Sequence, residues 1–371
     1  MNPFTREYHY YDVEIGGYAR EYYVGEEALQ LSGVLKLAYP VENGIIEDFS
    51  AIEKIWHYMF YTEMRIDPTE HPVAMLYKDM TPRRDLEKIA EILFETFSVP
   101  ALCLASDSNA AMAATGKKTG LVALLGDTYT SIVPCIDGLP LSREIKSLEC
   151  SLHKVYQYVR RLLANNKKIP LGEYWRYEYT VDLVNKLGSV FGQGGSTTPR
   201  RATYVLPDGE NIAVDGERDE CFDVYFRSDP DNFGFEGLPI QQAMIQCIDD
   251  VIAGLEDEAS RKKFIAALDS IPVVGSAARF PGWQERLNRE FRAALSGTSR
   301  GKEKGIASAL PDLSTVKFTV PERPDIALWR GLACIARASS GDPRGWIQRR
   351  EYLDNGPQVI HRLSLHEFIG K

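Results

Sequence analysis

Long apolar runs and an excess of positive charge are both missing from this sequence of 371 residues. It has no stretch of about 18 apolar residues, so we expect no membrane-spanning helix, and residues 1–8 carry charge and tyrosine where a signal peptide needs an apolar run. The 43 lysines and arginines are outnumbered by 52 aspartates and glutamates, for a net charge of −9. Such a balance gives no general attraction to nucleic acid or to anionic membranes. We therefore expect neither direct nucleic-acid binding nor membrane insertion.

Closely spaced metal ligands are missing as well. The six cysteines occur without any C-x-x-C spacing, at Cys103, Cys135, Cys150, Cys221, Cys247 and Cys334. This scatter argues against a zinc cluster or a disulfide framework and favours a reducing compartment. No two histidines have the spacing of metal ligands either, since His57 lies beside an apolar stripe and His71 directly precedes a proline. The sequence therefore predicts no metal site and a cytosolic or nuclear protein.

The residues that are present predict a globular α/β chain. Hydrophobic residues make up 44% and charged residues 26%, and the length exceeds one usual domain, so we expect two domains or lobes. Apolar residues at helical spacing predict helices over 51–61, 87–97, 151–164, 180–191, 239–254, 260–268 and 283–295, the first with Ser50 as its N-cap. Strand-like runs at 72–76, 271–274 and 316–320 alternate with these helices, which is typical of the α/β class.

Glycine-containing turns predict hairpins and loops between these elements. Residues 120–134 are predicted to form a strand, a Gly126-Asp127 turn and a second strand, and residues 206–209 predict another hairpin turn. Tyrosines alternating with polar residues around Gly16-Gly17 predict short strands over residues 1–40. The glycine-rich residues 192–199 and the polar residues 298–305 are predicted loops.

Many segments resemble the actin and actin-related protein family, in the same order along the chain. They are Tyr23-Val24-Gly25-Glu26-Glu27-Ala28, Tyr39-Pro40-Val41-Glu42-Asn43-Gly44-Ile45-Ile46, Glu53-Lys54-Ile55-Trp56-His57, Glu70-His71-Pro72-Val73, Phe94-Glu95-Thr96-Phe97, Leu206-Pro207-Asp208-Gly209, Phe280-Pro281-Gly282, Leu328-Trp329-Arg330-Gly331 and Trp346-Ile347-Gln348-Arg349-Arg350-Glu351-Tyr352. The resemblance covers nearly the whole chain.

This resemblance implies the actin-like fold, in which two α/β lobes enclose a cleft that holds ATP and a divalent cation in the family. It divides the chain into a β-rich small-subdomain segment (1–39), a first lobe base (40–114 with 327–371), a second lobe base (115–150 with 245–326) and a second lobe upper subdomain (151–244). The family's first phosphate-binding loop has no counterpart here, because Met1 aligns with the start of the family's second subdomain. We therefore expect an N-terminally truncated version of the fold.

The positions that bind the nucleotide in the family carry other residues here. The second phosphate loop, Asp-Ser-Gly-Asp-Gly in the family, reads Leu124-Leu125-Gly126-Asp127-Thr128, so a leucine replaces the aspartate that organises the metal. An apolar side chain cannot ligate a cation or hold its water. Only Gly126 and Asp127 survive from the family's loop. The resemblance therefore implies a degenerate phosphate site.

Other family positions depart in the same way. The glutamine that positions the attacking water aligns with Asp107, a nearby histidine with Ser131, and the nucleoside-contacting Lys-Glu pair with Val184 and Asn185. The Ser-Gly-Gly-Thr turn aligns with Val274-Gly275-Ser276-Ala277, and the Gly-Arg-Asp-Leu helix entry with residues 151–154. The remnants of the nucleotide cleft are Gly126, Asp127, Asp107 and Gly275. We expect no catalytic residue, no metal and no cofactor, and we expect Leu124, Leu125 and Val274, or a partner, to fill the vacated volume.

The family's apolar groove for partner helices and neighbouring subunits aligns with small or apolar residues. These are Ala113, Ala114, Gly116, Cys334, Ile335 and Ala338, and they suit a helix-in-groove contact. Lys118 and Arg337 intrude where the family has uncharged or smaller residues, which predicts a partner preference different from that of actin.

Together these expectations favour a catalytically inactive actin-related protein. We expect a structural, scaffolding subunit of a larger cytoskeletal assembly, axonemal or dynactin-like, with protein partners that include other actin-family subunits, in the cytoplasm or a cilium. Two alternatives stay open at this point. One is a nucleotide-binding switch whose rearranged cleft uses Asp107 or Asp127 to hold a cation, and the other is a nuclear subunit of a chromatin-remodelling complex.

Overall fold

The computed structural model describes residues 22–31, 36–167, 177–191, 202–206, 209, 211–214, 216–297, 313–340 and 345–365. The chain divides into two compact units. Unit 1 contains the residues up to Ala114 together with those from Trp329 onward, and unit 2 is Thr115–Leu328. Every helix in the described ranges is too short or too polar to cross a lipid bilayer.

Helices and strands alternate along the chain. The α-helices are α1 (Glu26–Gln30), α2 (Phe49–Tyr58), α3 (Arg83–Glu91), α4 (Asp107–Thr115), α5 (Leu152–Lys167), α6 (Tyr177–Leu187), α7 (Glu217–Glu220), α8 (Asp223–Phe226), α9 (Pro230–Phe233), α10 (Ile240–Gly254), α11 (Glu258–Ala267), α12 (Trp283–Gly297), α13 (Ala327–Ala338) and α14 (Arg349–Asn355). The strands are β1 (Val41–Glu42), β2 (Ile45–Ile46), β3 (Val73–Tyr77), β4 (Ala101–Ser106), β5 (Gly120–Leu125), β6 (Thr130–Ile136), β7 (Leu139–Pro140), β8 (Lys146–Leu148), β9 (Ala202–Val205), β10 (Asn211–Val214), β11 (Ile271–Val274), β12 (Phe318–Thr319) and β13 (Ile347–Gln348).

Unit 1 is built around a three-stranded sheet in the order β13-β4-β3. β4 is central and all six of its residues are buried, and β3 runs parallel to it with Val73 opposite Leu102 and Tyr77 opposite Ser106. The apolar faces of α2 and α3 contribute residues such as Ile55 and Ile89 to the core against this sheet. Parallel pairing brings the carboxyl ends of β3 and β4 to the same edge, where α4 begins.

Unit 2 is built around a larger mixed sheet in the order β12-β11-β5-β6-β7, with β8 paired to β6. β12, β11 and β5 are parallel, and β5 and β6 form an antiparallel hairpin. Helices α5, α10 and α12 contribute to the core on this sheet, in which Trp283 and Tyr225 are the largest fully buried side chains. The sheets flanked by helices confirm the α/β class.

The structure confirms most of the predicted elements and corrects two of them. The hairpin over residues 120–134 forms as expected, and α2 begins near its predicted start. Its N-cap, however, is Asp48 rather than Ser50, because the Asp48 carboxylate accepts the N–H of Ala51 at 3.0 Å.

The predicted strands over residues 1–40 are wrong for residues 26–30, which form α1. Acidic residues in the first turn, Glu26 and Glu27, suit the positive end of a helix dipole. Residues 1–21, and the predicted loops at 192–199 and 298–305, lie outside the described residues. The division of the chain into four subdomain segments stays a prediction.

Candidate functional site

The turn between β5 and β6 uses its backbone groups within unit 2. The N–H of Gly126 donates to the carbonyl oxygen of Tyr129 at 2.8 Å, and a Cβ at Gly126 would lie 2.7 Å from that oxygen, so the turn requires glycine. The carbonyl oxygens of Gly126 and Asp127 accept the N–H groups of Leu152 and His153, at 3.4 and 2.8 Å. The turn therefore satisfies N–H groups that the first turn of α5 leaves without helical partners.

The side chains at this turn form a small polar group. Burial lowers the pKa of His153 from its ordinary value of 6.5, and the nearby carboxylate of Asp127 opposes that shift. The His153 Nε2 lies 2.9 Å from the Nε2 of Gln157, one helical turn further along α5. Asp127 is half-buried, so the sequence-predicted remnants Gly126 and Asp127 both lie at the turn.

Leu124 and Leu125 lie on opposite faces of β5, because side chains alternate along a strand. Leu125 belongs to the core of unit 2, so the expectation that it fills vacated space in a cleft is wrong. Leu124 is 2% exposed and lies in register between Val274 of β11 and Ser131 of β6, both also buried. Leu124 and Val274 therefore share one face, and for them the expectation stays a prediction.

The turn after β11 is held closely against β5. Gly275 has φ +114°, and a Cβ there would collide with the carbonyl group of Leu125. Its N–H donates to the carbonyl oxygen of Pro324 at 2.9 Å. The backbone N–H groups of Gly126 and Gly275, two of the predicted remnants, thus both donate to carbonyl oxygens of this chain.

The two residues that align with the family's nucleoside-contacting pair have different surroundings. Val184 is 1% exposed and belongs to the core of unit 2. Asn185 is exposed, and its Oδ1 accepts a hydrogen bond from the guanidinium of Arg279. Neither side chain provides the ammonium or carboxylate that the family has at these positions.

In unit 1, Asp107 opens α4 at the carboxyl end of β4 and is 6% exposed. A second carboxylate, Asp79, follows the neighbouring strand β3 and accepts both the N–H and the hydroxyl of Ser108, at 3.2 and 2.5 Å. Burial raises the pKa of Asp79, and the hydrogen bonds from Ser108 and Ser106 oppose that rise.

The charges of Asp79 and Asp107 both affect the pKa of the nearby Tyr77. Burial raises the pKa of Tyr77 to about 12, with further contributions from the negative charges of Asp79 and Asp107. The sequence reasoning missed Asp79, although its place just after a strand that pairs in parallel with β4 is a signal that could have found it.

The predicted groove residues of unit 1 lie on two neighbouring helices. α4 carries Ala113 and Ala114, and α13 carries Cys334, Ile335 and Ala338. The helices approach closely, since a Cβ at Gly331 of α13 would collide with the backbone of Ala110 of α4. Ala114, Cys334 and Ala338 are exposed, whereas Ile335 is only 7% exposed. Gly116 is exposed, has φ +69° and belongs to unit 2.

The histidines considered from the sequence make other contacts within unit 1. The ring of His57 contacts that of Tyr61, with centroids 4.6 Å apart, and His361 Nε2 lies 2.6 Å from a carboxylate oxygen of Glu87. In the part of the chain that the structure describes, no three histidine, cysteine, aspartate or glutamate side chains are grouped as metal ligands.

A comparison with models of protein families matches the family described as Actin. The match covers residues 6–181 and 178–364, which is nearly the whole chain.

Proposed function

We propose that this chain, which belongs to the actin family and has its two-lobed α/β fold, is a structural subunit of a larger protein assembly and does not itself hydrolyse ATP. The observation that carries this proposal is Leu124, which occupies the position of the metal-organising aspartate and is 2% exposed between Val274 and Ser131. In the family the bound cation would screen the phosphates and polarise them for attack by water. A buried leucine supplies neither a ligand nor a partner for the cation's water.

The backbone of unit 2 supports the same proposal. The anion-binding loops of nucleotide-binding proteins present free N–H groups to phosphate oxygens. Here the N–H groups of Gly126 and Gly275 donate to Tyr129 and Pro324 of the same chain. These two amide groups are therefore engaged within the chain and are not available to a phosphate.

Unit 1 adds an electrostatic argument. Asp79 and Asp107 lie at the carboxyl ends of two parallel strands, where α/β proteins commonly place their ligands. Asp79 also occupies the N–H of Ser108 in the first turn of α4, which would otherwise be available to an anion. Two carboxylates repel a phosphate group that carries no cation, although carboxylate oxygens are ligands that magnesium accepts. This group therefore argues against a bare anion at this edge of the sheet.

The kind of assembly follows from the surface and the charge. With a net charge of −9, the chain has no general affinity for nucleic acid, which favours a cytoskeletal home, such as an axonemal or dynactin-like complex, over a direct role on chromatin. The exposed small residues Ala114, Cys334 and Ala338 on α4 and α13 offer a surface on which a partner helix can pack. The cytoplasm is the compartment that fits both features.

Equilibrium dialysis against labelled ATP with magnesium tests the loss of nucleotide binding. We expect no saturable binding at ATP concentrations up to about 1 mM. An actin-family protein that hydrolyses ATP, dialysed under the same conditions, gives the positive control. Saturable binding below about 10 μM, which corresponds to nearly 7 kcal/mol of binding free energy, would contradict the proposal.

Purification of the native complex tests the structural role. A tagged chain carrying Ala114→Arg and Ala338→Arg places two bulky charges on the exposed surface of α4 and α13. We expect this variant to lose the partners that the unmodified chain retains on a sizing column. The matched control is Ala333→Arg, at another exposed position of α13. A chain that migrates as a monomer from native cells would argue against the structural role.

A further inference from the structure

A cavity of about 210 Å³ opens in unit 2. Its lining residues follow the neighbouring parallel strands β11 and β12, and the carboxyl ends of such strands are where open α/β sheets place ligands. Pockets for drug-sized ligands measure roughly 300–1,000 Å³. This cavity is therefore sized for a single side chain rather than for a nucleoside.

The walls of the cavity are mixed, with apolar residues from two segments of the chain. Phe280, which is 5% exposed, and Ala278, which is 1% exposed, form one side with their buried surfaces. Val320, Pro321 and Pro324 line it from the segment after β12. Flat, rigid surfaces of this kind suit the aliphatic part of a long side chain.

The charges on the cavity favour a cationic occupant. Glu285 and Glu322 line it and are exposed, and neither makes a hydrogen bond or salt bridge with another described residue. The cavity's arginine, Arg279, donates to Asn185, and its guanidinium lies 5.0 Å from the centroid of the Phe280 ring. The negative charge of Glu322 interacts with the neighbouring Arg323, which itself pairs with Asp325. The cavity lining therefore carries two carboxylates against one guanidinium that already donates to Asn185.

We propose that this cavity receives an arginine side chain of a protein partner. The methylene groups pack on the proline and valine walls, and the guanidinium donates to Glu285 and Glu322. Arginine suits the site because its planar, permanently charged group matches carboxylates and because arginine is among the residues that dominate interface energies. The inference deepens the proposed structural role, since it supplies a second contact for an assembly partner, separate from the surface of α4 and α13.

Binding of two small probes to the full chain tests the proposal by ligand-observed NMR. Nα-acetyl-arginine methylamide carries the charge, and the corresponding citrulline derivative has nearly the same shape without it. We expect the arginine probe to saturate at millimolar concentration and the citrulline probe to bind at least about tenfold more weakly. Equal binding of both probes, or no saturation by the arginine probe, would overturn the proposal.

Charge-neutralising variants locate the site. Glu285→Gln combined with Glu322→Gln keeps the side-chain shape at exposed positions, and we expect it to weaken the arginine probe about tenfold. The control is Glu256→Gln, at another exposed position of unit 2, and it should leave binding unchanged. An equal loss in both proteins would show a general charge effect and overturn the assignment. The ATP dialysis decides the proposed function separately, because a failure of the arginine probe does not alter its result.

Discussion

Leu124 and Leu125 are neighbours in the chain, yet they have opposite environments because they lie on different faces of β5. Leu125 packs in the core of unit 2, and Leu124 lies on the other face between Val274 and Ser131. Of these two leucines, only Leu124 lies on the face of β5 that the proposed function concerns. A second local effect concerns His153, whose imidazole interacts with the carboxylate of Asp127 at the start of α5.

Replacing Leu124 by aspartate restores the residue type of the family and tests whether one change restores the chemistry. We expect Leu124→Asp to lower the free energy of unfolding by about 4 kcal/mol, because it buries a carboxylate and removes apolar contacts. The control Leu124→Met should cost less than about 1.5 kcal/mol. Urea denaturation with and without magnesium and ATP measures both, and a variant stabilised by Mg-ATP would contradict this view.

The histidine gives a pH dependence with a definite sign. Burial lowers the pKa of His153, so the unfolded chain binds its proton first as the pH falls through 6.5. Folding stability from this group is therefore present at pH 7.5 and declines toward pH 5.5. We expect His153→Gln to reduce that decline in urea midpoints, whereas His57→Gln in unit 1 controls for the removal of a histidine. An unchanged pH profile would rule out this contribution.

The elements of unit 2 meet closely where β5 and β11 end. The hairpin turn supplies carbonyl oxygens to the start of α5, and the turn after β11 brings Gly275 against Leu125. Both contacts depend on glycine. Gly126 leaves space beside the carbonyl oxygen of Tyr129, and Gly275 leaves space beside Leu125 and adopts a positive φ. These turns set the geometry at the carboxyl ends of the parallel strands.

The two costs at Gly275 can be separated with a second glycine. Gly275→Ala adds a Cβ that collides with Leu125 at φ +114°, whereas Gly209 has φ +90° and open space around it. We expect Gly209→Ala to cost about 1 kcal/mol from backbone strain alone, and Gly275→Ala to cost at least about 2 kcal/mol more. Thermal or urea unfolding measures the difference, and equal costs would show that the contact with β5 relaxes freely.

Some elements and contacts were visible in the sequence and others were not. The hairpin over residues 120–134 could be predicted because a Gly-Asp turn between two apolar runs is a local signal. Asp48 was missed as the cap of α2 because Ser50 is an equally good capping residue, and only the backbone decides between them. Asp79 was missed because its partner Ser108 is 29 residues away.

On the scale of the whole molecule, the actin family assignment covers both units, and each unit carries residues that bear on the proposed loss of nucleotide binding. Unit 2 carries Leu124 and engaged amide groups, and unit 1 carries Asp79 and Asp107. If each of these differences costs a few kcal/mol of nucleotide binding, several together exceed the binding free energy of an ordinary micromolar ligand, which is the premise of the proposed function. This is why the proposed function relies on surfaces.

Ligand-linked stability tests this view on the intact chain. A site with a dissociation constant of 10 μM would gain about 2.7 kcal/mol of stability from 1 mM Mg-ATP, which raises the melting temperature by several degrees. We expect less than about 0.4 kcal/mol, and therefore no measurable shift, because a dissociation constant above 1 mM leaves most sites empty. A reproducible shift that magnesium chelation abolishes would contradict the proposal.

The sequence by itself determined the α/β class, the order of the elements and the family, because these depend on local periodicity and on motifs spread along the chain. Through the resemblance it also predicted which residues align with the family's nucleotide positions, and this alignment stays a prediction. Only the tertiary structure decided which face Leu124 and Leu125 occupy, where the N–H groups of Gly126 and Gly275 donate, and that Glu285 and Glu322 line one cavity. Some of these relations join residues that are close in space but distant along the chain. Others depend on a shift of one residue along a strand. Local sequence patterns determine neither.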